Sequence, residues 1–149
     1  MSENNEMTLI VKSHSVNESF VRATVAAFCV PLNPTLDEIT DIKTAVSEAV
    51  TNCVVHAYPF GNGEIIINVK LVNNSVYIKV SDKGVGIVDI NKAIEPFYTT
   101  KPNEERSGMG FTVMESFMDT LKVVQNKGKG ITVHMTKKIE GDKLKIVGG

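Results

Sequence analysis

Two runs of the chain alternate strictly between apolar and polar positions. Ile65, Ile67, Val69 and Leu71 are interleaved with Ile66, Asn68 and Lys70, and Val76, Ile78 and Val80 with Tyr77, Lys79 and Ser81. A period of two puts each apolar set on one face of a strand, so residues 64–71 and 76–81 are predicted to form strands with a shared core face. Val72-Asn73-Asn74 supplies the turn of an antiparallel hairpin between them.

Elsewhere the period lengthens to that of a helix. Ile42, Ala45, Val46, Ala49, Val50 and Cys53 make one broad apolar stripe on a helix predicted to run to about Ala57. Thr35-Leu-Asp-Glu38 is a capping box that starts it, and Pro59 to Gly63 breaks it. An earlier helix is predicted over residues 16–30, started by a capping box at Ser15-Val-Asn-Glu18 and stopped by Pro31. Its buried stripe is read as Val16, Phe20, Ala23, Thr24 and Ala27. Glu18, Arg22, Val25, Ala26 and Cys29 then face outward, and this partly apolar face either meets a second polypeptide or carries an ordinary Glu18–Arg22 surface pair.

The remaining elements are short. A strand over 8–14 precedes the first helix, and a brief helical segment, 89–95, leads into a polar loop over 97–110. A helix over 111–119 and strands over 121–125 and 131–138 close the domain, leaving 141–149 as a loose tail. The order β-α-α-β-β-loop-α-β-β predicts an α+β fold, a two-layer sandwich with helices on one face of a mixed, mostly antiparallel sheet. Residues 1–140 then form a single domain.

Composition narrows the function classes. Sixteen Lys and Arg against 17 Asp and Glu leave a net charge of -1, no electrostatic footprint for direct binding of nucleic acid. No apolar run approaches bilayer length and the first dozen residues lack a signal-peptide pattern, so a cytoplasmic protein without membrane contact is expected. Cys29 and Cys53 form no C-x-x-C and read as reduced structural thiols, and His14, His56 and His134 do not cluster at ligand spacing.

Against this ordinary background, Glu48, Asn52 and His56 stand four residues apart along one edge of an apolar helical stripe. Polar groups at the margin of a core need partners, whether protein, water, metal or ligand. Four G-x-G triplets follow, beginning at Gly61, Gly84, Gly108 and Gly128. Those at Gly61 and Gly128 lie between regular elements and read as plain turns. Gly84 and Gly86 follow Asp82 at a strand end, where a carboxylate can accept a hydrogen bond from an exocyclic amine such as adenine's, or can simply start a turn. Gly108 and Gly110 open a helix whose free N–H groups suit an anion, and Lys101 and Arg106 on the preceding loop can add charge-assisted contacts to phosphate.

Taken in order, E-x-x-x-N-x-x-x-H, D-x-G-x-G and the polar loop ending in G-x-G resemble the ATP-binding domain shared by gyrase-type ATPases, Hsp90 and histidine kinases. Ser47-Glu-Ala-Val-Thr-Asn52, Pro96-Phe-Tyr-Thr-Thr-Lys-Pro102 and Glu105-Arg-Ser-Gly-Met-Gly-Phe111 narrow this to a resemblance to the anti-sigma-factor serine kinases, most closely those of endospore formers. The resemblance implies a histidine-kinase-like ATPase fold and an ATP/ADP site formed by Asn52, Asp82, Gly84, Gly86, Thr99, Lys101, Arg106, Ser107, Gly108, Met109 and Gly110. Asn52 would also hold Mg²⁺, and Glu48 would be the catalytic base. Ile131 stands where related sequences often have Thr, so Thr132 is the residue expected to serve the adenine instead. The implied partners are a sigma factor, contacted through Glu18 and Arg22, and an anti-anti-sigma protein as the serine substrate of a homodimer. A general-stress relative with the same chemistry, or a non-catalytic ATP-dependent binding module, fits the same residues.

Overall fold

The strict alternation of residues 64–81 builds the centre of the sheet. In the computed structural model, which describes residues 4–59, 61–85 and 110–141, β2 (Glu64–Val72) and β3 (Ser75–Ser81) pair antiparallel across a turn at Asn73. Asn73 has φ 55°, a left-handed conformation that asparagine tolerates better than most residues. Ile65, Ile67, Val69 and Leu71 are fully buried, and Val76, Ile78 and Val80 lie beside them in register.

Three further strands complete the layer: β1 (Asn5–Lys12), β4 (Thr120–Gln125) and β5 (Ile131–Lys138). The spatial order is β1-β2-β3-β5-β4, and each of the four described pairings is antiparallel. The sheet is thus more regular than the mixed arrangement expected. Over its apolar face lie α1 (Asn17–Cys29), α2 (Leu36–Asn52) and α3 (Gly110–Phe117), with α2 packed against both of the others. The two-layer α+β sandwich is therefore as anticipated. The 89–95 segment, the 97–109 loop and residues 142–149 lie outside the described residues.

Helix α1 departs from its predicted phase. Val21, Val25 and Cys29 are the buried positions, whereas Val16 is 76% and Phe20 54% exposed. Both faces of this helix carry apolar side chains, so period alone could not choose between them; packing against α2 selects the β-branched pair and the thiol. The capping box at Ser15 does not form either. Val16 occupies the cap without a side-chain bond, Glu18 N–H donates to the Ser15 backbone carbonyl at 3.2 Å, and Asn17 Nδ2 donates to the Lys12 carbonyl at 2.9 Å. Glu18 and Arg22 do form the i,i+4 pair, at 3.2 Å, worth a few tenths of a kcal/mol (~0.3–0.5) where it is exposed.

The box at Thr35 is complete and does more than start α2. Glu38 N–H donates to Thr35 Oγ1 at 3.1 Å and its carboxylate accepts Thr35 N–H at 2.9 Å. The same carboxylate also accepts the N–H groups of Glu140 at 2.7 Å and Gly141 at 3.1 Å, so Gly141, expected in the loose tail, is tied to the head of α2. Burial pushes the Glu38 carboxyl up, but the hydrogen bonds from Thr35, Glu140 and Gly141 outweigh it and hold it below its usual value. A depressed carboxylate stabilises the fold above its unfolded pKa, and that contribution is lost as pH falls through the folded value. Glu38→Gln is expected to cost about 1 kcal/mol, roughly 2–4 °C in Tm, at neutral pH. Thermal melts in increasingly acidic buffer should show this deficit closing; a deficit independent of pH would refute the charge-based account.

Candidate functional site

The end of α2 is where the polar row lies. Asn52 is its last α-helical residue; Cys53–Ala57 widen into a π turn, closed by Tyr58 N–H donating to the Cys53 carbonyl at 3.2 Å. The helical path therefore does reach Ala57, as the sequence predicts, but its last turn is not α. Glu48 and Asn52 remain one α-turn apart and half-buried at the core margin. His56, also half-buried, sits in the widened turn and has left the angular phase that the other two share.

Opposite this turn stands Asp82, only 1% exposed at the end of β3. Its Oδ1 accepts the N–H of Gly84 at 2.9 Å and of Ile131 at 3.3 Å, while Oδ2 faces the Cys53 thiol at 3.7 Å. The backbone around it is equally fixed. Asp82 N–H donates to the Ile131 carbonyl at 3.0 Å, and Asn126 Nδ2 donates to the Asp82 carbonyl at 3.0 Å. Burial raises the Asp82 carboxyl, against the opposing hydrogen bonds from Gly84, Ile131 and Cys53. Burial likewise pushes the Cys53 thiol up, with the neighbouring Asp82 charge adding to it, and lifts Cys29 to about 12; both thiols are free.

Glycines let these pieces approach. A Cβ on Gly84 would collide with the Ala57 carbonyl, and Val85 N–H donates to that same carbonyl at 3.0 Å. The D-x-G segment is thereby docked on the π turn. Tyr58 clamps it from the side, its hydroxyl accepting Lys83 N–H and donating to the Glu64 carbonyl, each at 2.7 Å. Gly110, the first residue of α3, stands so close to Asn52 that a Cβ there would lie 3.1 Å from Oδ1. Three sequence-distant stretches thus converge on one end of α2.

A family of histidine kinase-like ATPase domains matches residues 14–137 of the chain. The anti-sigma F factor of Caldanaerobacter subterraneus subsp. tengcongensis is 55% identical over 139 residues, which cover 93% of this chain and 97% of that protein. The chain belongs to the anti-sigma F factor family. The anti-sigma F factor of Clostridium acetobutylicum is 53% identical over 90% of this chain and 94% of its own, and that of Bacillus licheniformis 50% over 93% and 96%. Among solved structures, the RsbU and RsbW domains of Rv1364c from Mycobacterium tuberculosis share the fold, with a TM-score of 0.65 over 91% of this chain and 32% of that longer one. At 18% identity that likeness speaks for the fold alone. An ATPase domain of this type implies nucleotide binding.

In this anti-sigma F family member the predicted residues distribute unevenly. Glu48, Asn52, Asp82, Gly84 and Gly110 surround the end of α2, as described. Gly86, Thr99, Lys101, Arg106, Ser107, Gly108 and Met109 lie outside the described residues. Glu18 and Arg22 are on α1. Thr132 is a correction: strand parity puts Ile131, Val133 and Met135 in the core, so Thr132 projects from the opposite face of the sheet. There its hydroxyl donates to Asn126 Oδ1 at 2.6 Å and lies 2.9 Å from Ser81 Oγ. The neighbouring Ile131 backbone N–H is what contacts Asp82.

Sequence reasoning missed Cys53, Tyr58 and Gly130. Gly61 and Gly128 have positive φ and open space, as turn glycines should. Gly130 has φ 90° and lies against the Asp82 backbone carbonyl, so it belongs to the site. Among the described residues no three His, Cys, Asp or Glu group as a metal cluster would require, and no helix is long and apolar enough to cross a membrane.

Proposed function

We propose that this chain is an ATP-dependent anti-sigma factor that is also a serine protein kinase. It sequesters a sporulation sigma factor and transfers the γ-phosphate of ATP to a serine of an anti-anti-sigma protein, giving ADP and phosphoserine. The observation that carries the reading is the convergence of Glu48 and Asn52, the Asp82–Gly84 segment and Gly110 at one end of α2, in a chain of this family.

In this reading Asp82 accepts the exocyclic amine of adenine, with Gly86 leaving room for the ring and Gly84 letting the segment lie against the Ala57 carbonyl. The N–H groups at the start of α3 face the phosphates, with Lys101 and Arg106 adding positive charge and Thr99, Ser107, Gly108 and Met109 completing the nucleotide site. Asn52 offers a carboxamide oxygen beside Gly110, a donor type that suits Mg²⁺ when phosphate oxygens and water supply the rest. When bound, Mg²⁺ would neutralise charge on the phosphate chain. Glu48, one turn from Asn52, takes the proton of the attacking serine hydroxyl; positioning and charge stabilisation supply the rest of the catalysis. His56 organises the edge of the site. Glu18 and Arg22 contact protein partners, and the chain, a single domain over 1–140, works as a cytoplasmic homodimer.

The deciding experiment incubates the chain with γ-labelled ATP, Mg²⁺ and an anti-anti-sigma protein, and looks for phosphoserine, alongside capture of the sigma factor with and without ATP. Capture without transfer would reduce the protein to a binding module, and loss of both would overturn the reading.

Asp82→Asn separates binding from folding. A raised carboxyl contributes its stability in full below its unfolded pKa and loses it as pH rises through the folded value, so the buried ionised group adds none near neutrality. The amide variant should therefore match or exceed the parent Tm at neutral pH while ATP affinity falls by about 100-fold, two tenfold steps. Parallel calorimetric titration and thermal melts check this, and unchanged affinity would remove Asp82 from the nucleotide site.

A further inference from the structure

The Asp82 carboxylate is held asymmetrically, and the asymmetry involves a side chain with no role so far. Oδ1 receives two backbone N–H groups, from Gly84 and Ile131. Oδ2 receives one described donor, the Cys53 thiol at 3.7 Å. Those contacts fix the carboxylate plane, because Oδ1 is pinned from two elements and Oδ2 from a third. A thiol is a weak donor, so Oδ2 keeps most of its accepting capacity. It is therefore the oxygen able to take a hydrogen bond from a ligand.

We propose that Cys53 is a positioning residue for base selection: its thiol orients Asp82 so that Oδ2 is presented to an amino-bearing purine. The inference rests on the nucleotide reading given above. Cys53 follows Asn52 directly and opens the π turn, so one widened turn would set both ends of the nucleotide site. The packing leaves the thiol little freedom. Cys53 is 4% exposed, and the Asp82 main chain opposite it is hemmed in by Gly130 and bonded to Ile131 and Asn126. Removing the thiol would free Oδ2 to rotate about the anchored Oδ1, loosening the direction of acceptance without removing the acceptor.

The test compares ATP with purine riboside triphosphate, which lacks only the 6-amino group, by calorimetric titration of the full chain and of Cys53→Ala and Cys53→Ser. The parent should prefer ATP. Cys53→Ala should lower ATP affinity about three- to tenfold, the loss of one modest hydrogen bond, and leave the analogue within about twofold, narrowing the preference. Cys53→Ser, whose hydroxyl still donates, should keep it. In the parent, the S–H stretching band that Cys53→Ala removes should shift on Asp82→Asn. Equal weakening of both nucleotides would reduce Cys53 to a space-filler and overturn the proposal while leaving the nucleotide reading intact. A parent that binds neither nucleotide would overturn the nucleotide reading, and the inference with it.

Discussion

Glu48→Gln is expected to slow serine phosphorylation by about 10²–10⁴-fold, the usual worth of a positioned general base, while ATP and sigma-factor binding stay within about twofold. The amide matches the carboxylate in size and keeps an acceptor, so the half-buried position on α2 is filled as before. What it lacks is the capacity to take a proton. Asn52, one turn on, is untouched, and Gly110 at the start of α3 beside it, which is why affinity should survive. Single-turnover transfer at saturating ATP isolates the chemical step, and calorimetry on the same variant measures binding. Undiminished transfer would remove Glu48 from the base role; a parallel loss of affinity would make it a binding residue instead.

Gly130→Ala should be the most damaging small substitution in the described structure. Two costs coincide there: φ is 90°, which an L side chain resists, and the new Cβ would meet the Asp82 carbonyl, which is bonded to Asn126 and cannot swing away. The conformational term is about 1–2 kcal/mol and overpacking against backbone about 1–3, so a loss of roughly 2–5 kcal/mol is expected. At this chain length that lowers Tm by about 4–20 °C. Gly128→Ala is the internal control, since φ is 98° but nothing lies within 4 Å, so only the first cost applies. Equal melting temperatures for the two variants would show that the contact with Asp82 contributes nothing.

What could be read in advance depended on how far apart the interacting residues lie. Strict alternation fixed the β2–β3 hairpin because no other period fits Ile65 to Val80. The Glu48–Asn52 spacing was equally local and survived intact. Helix α1 failed because Val16, Phe20, Ala23 and Ala27 are as apolar as Val21, Val25 and Cys29, and only α2 decides between them. Two capping boxes with the same spacing diverged: Thr35 meets Glu38, whereas the chain entering α1 is held by Asn17 instead. Apart from the local Gly84 N–H, the partners of the Asp82 carboxylate come from 29 residues before it and 49 after, distances at which a sequence pattern carries no geometry. Thr132 is different, since the alternation Ile131, Val133, Met135 already placed it on the outer face. Resemblance drew attention to the hydroxyl, and strand parity should have overruled it.

The way Asp82 is assembled also bears on how much folded protein there is. Its carboxylate site exists only once the β2–β3 hairpin, the β4–β5 hairpin and the end of α2 have come together, so the unfolded chain offers no equivalent. A ligand held there binds the native state alone and stabilises it by mass action, about 2.7 kcal/mol when present at 100 times its Kd. Nucleotide supply would then act on the lifetime of the chain as well as on its chemistry, and depletion would expose it to proteolysis.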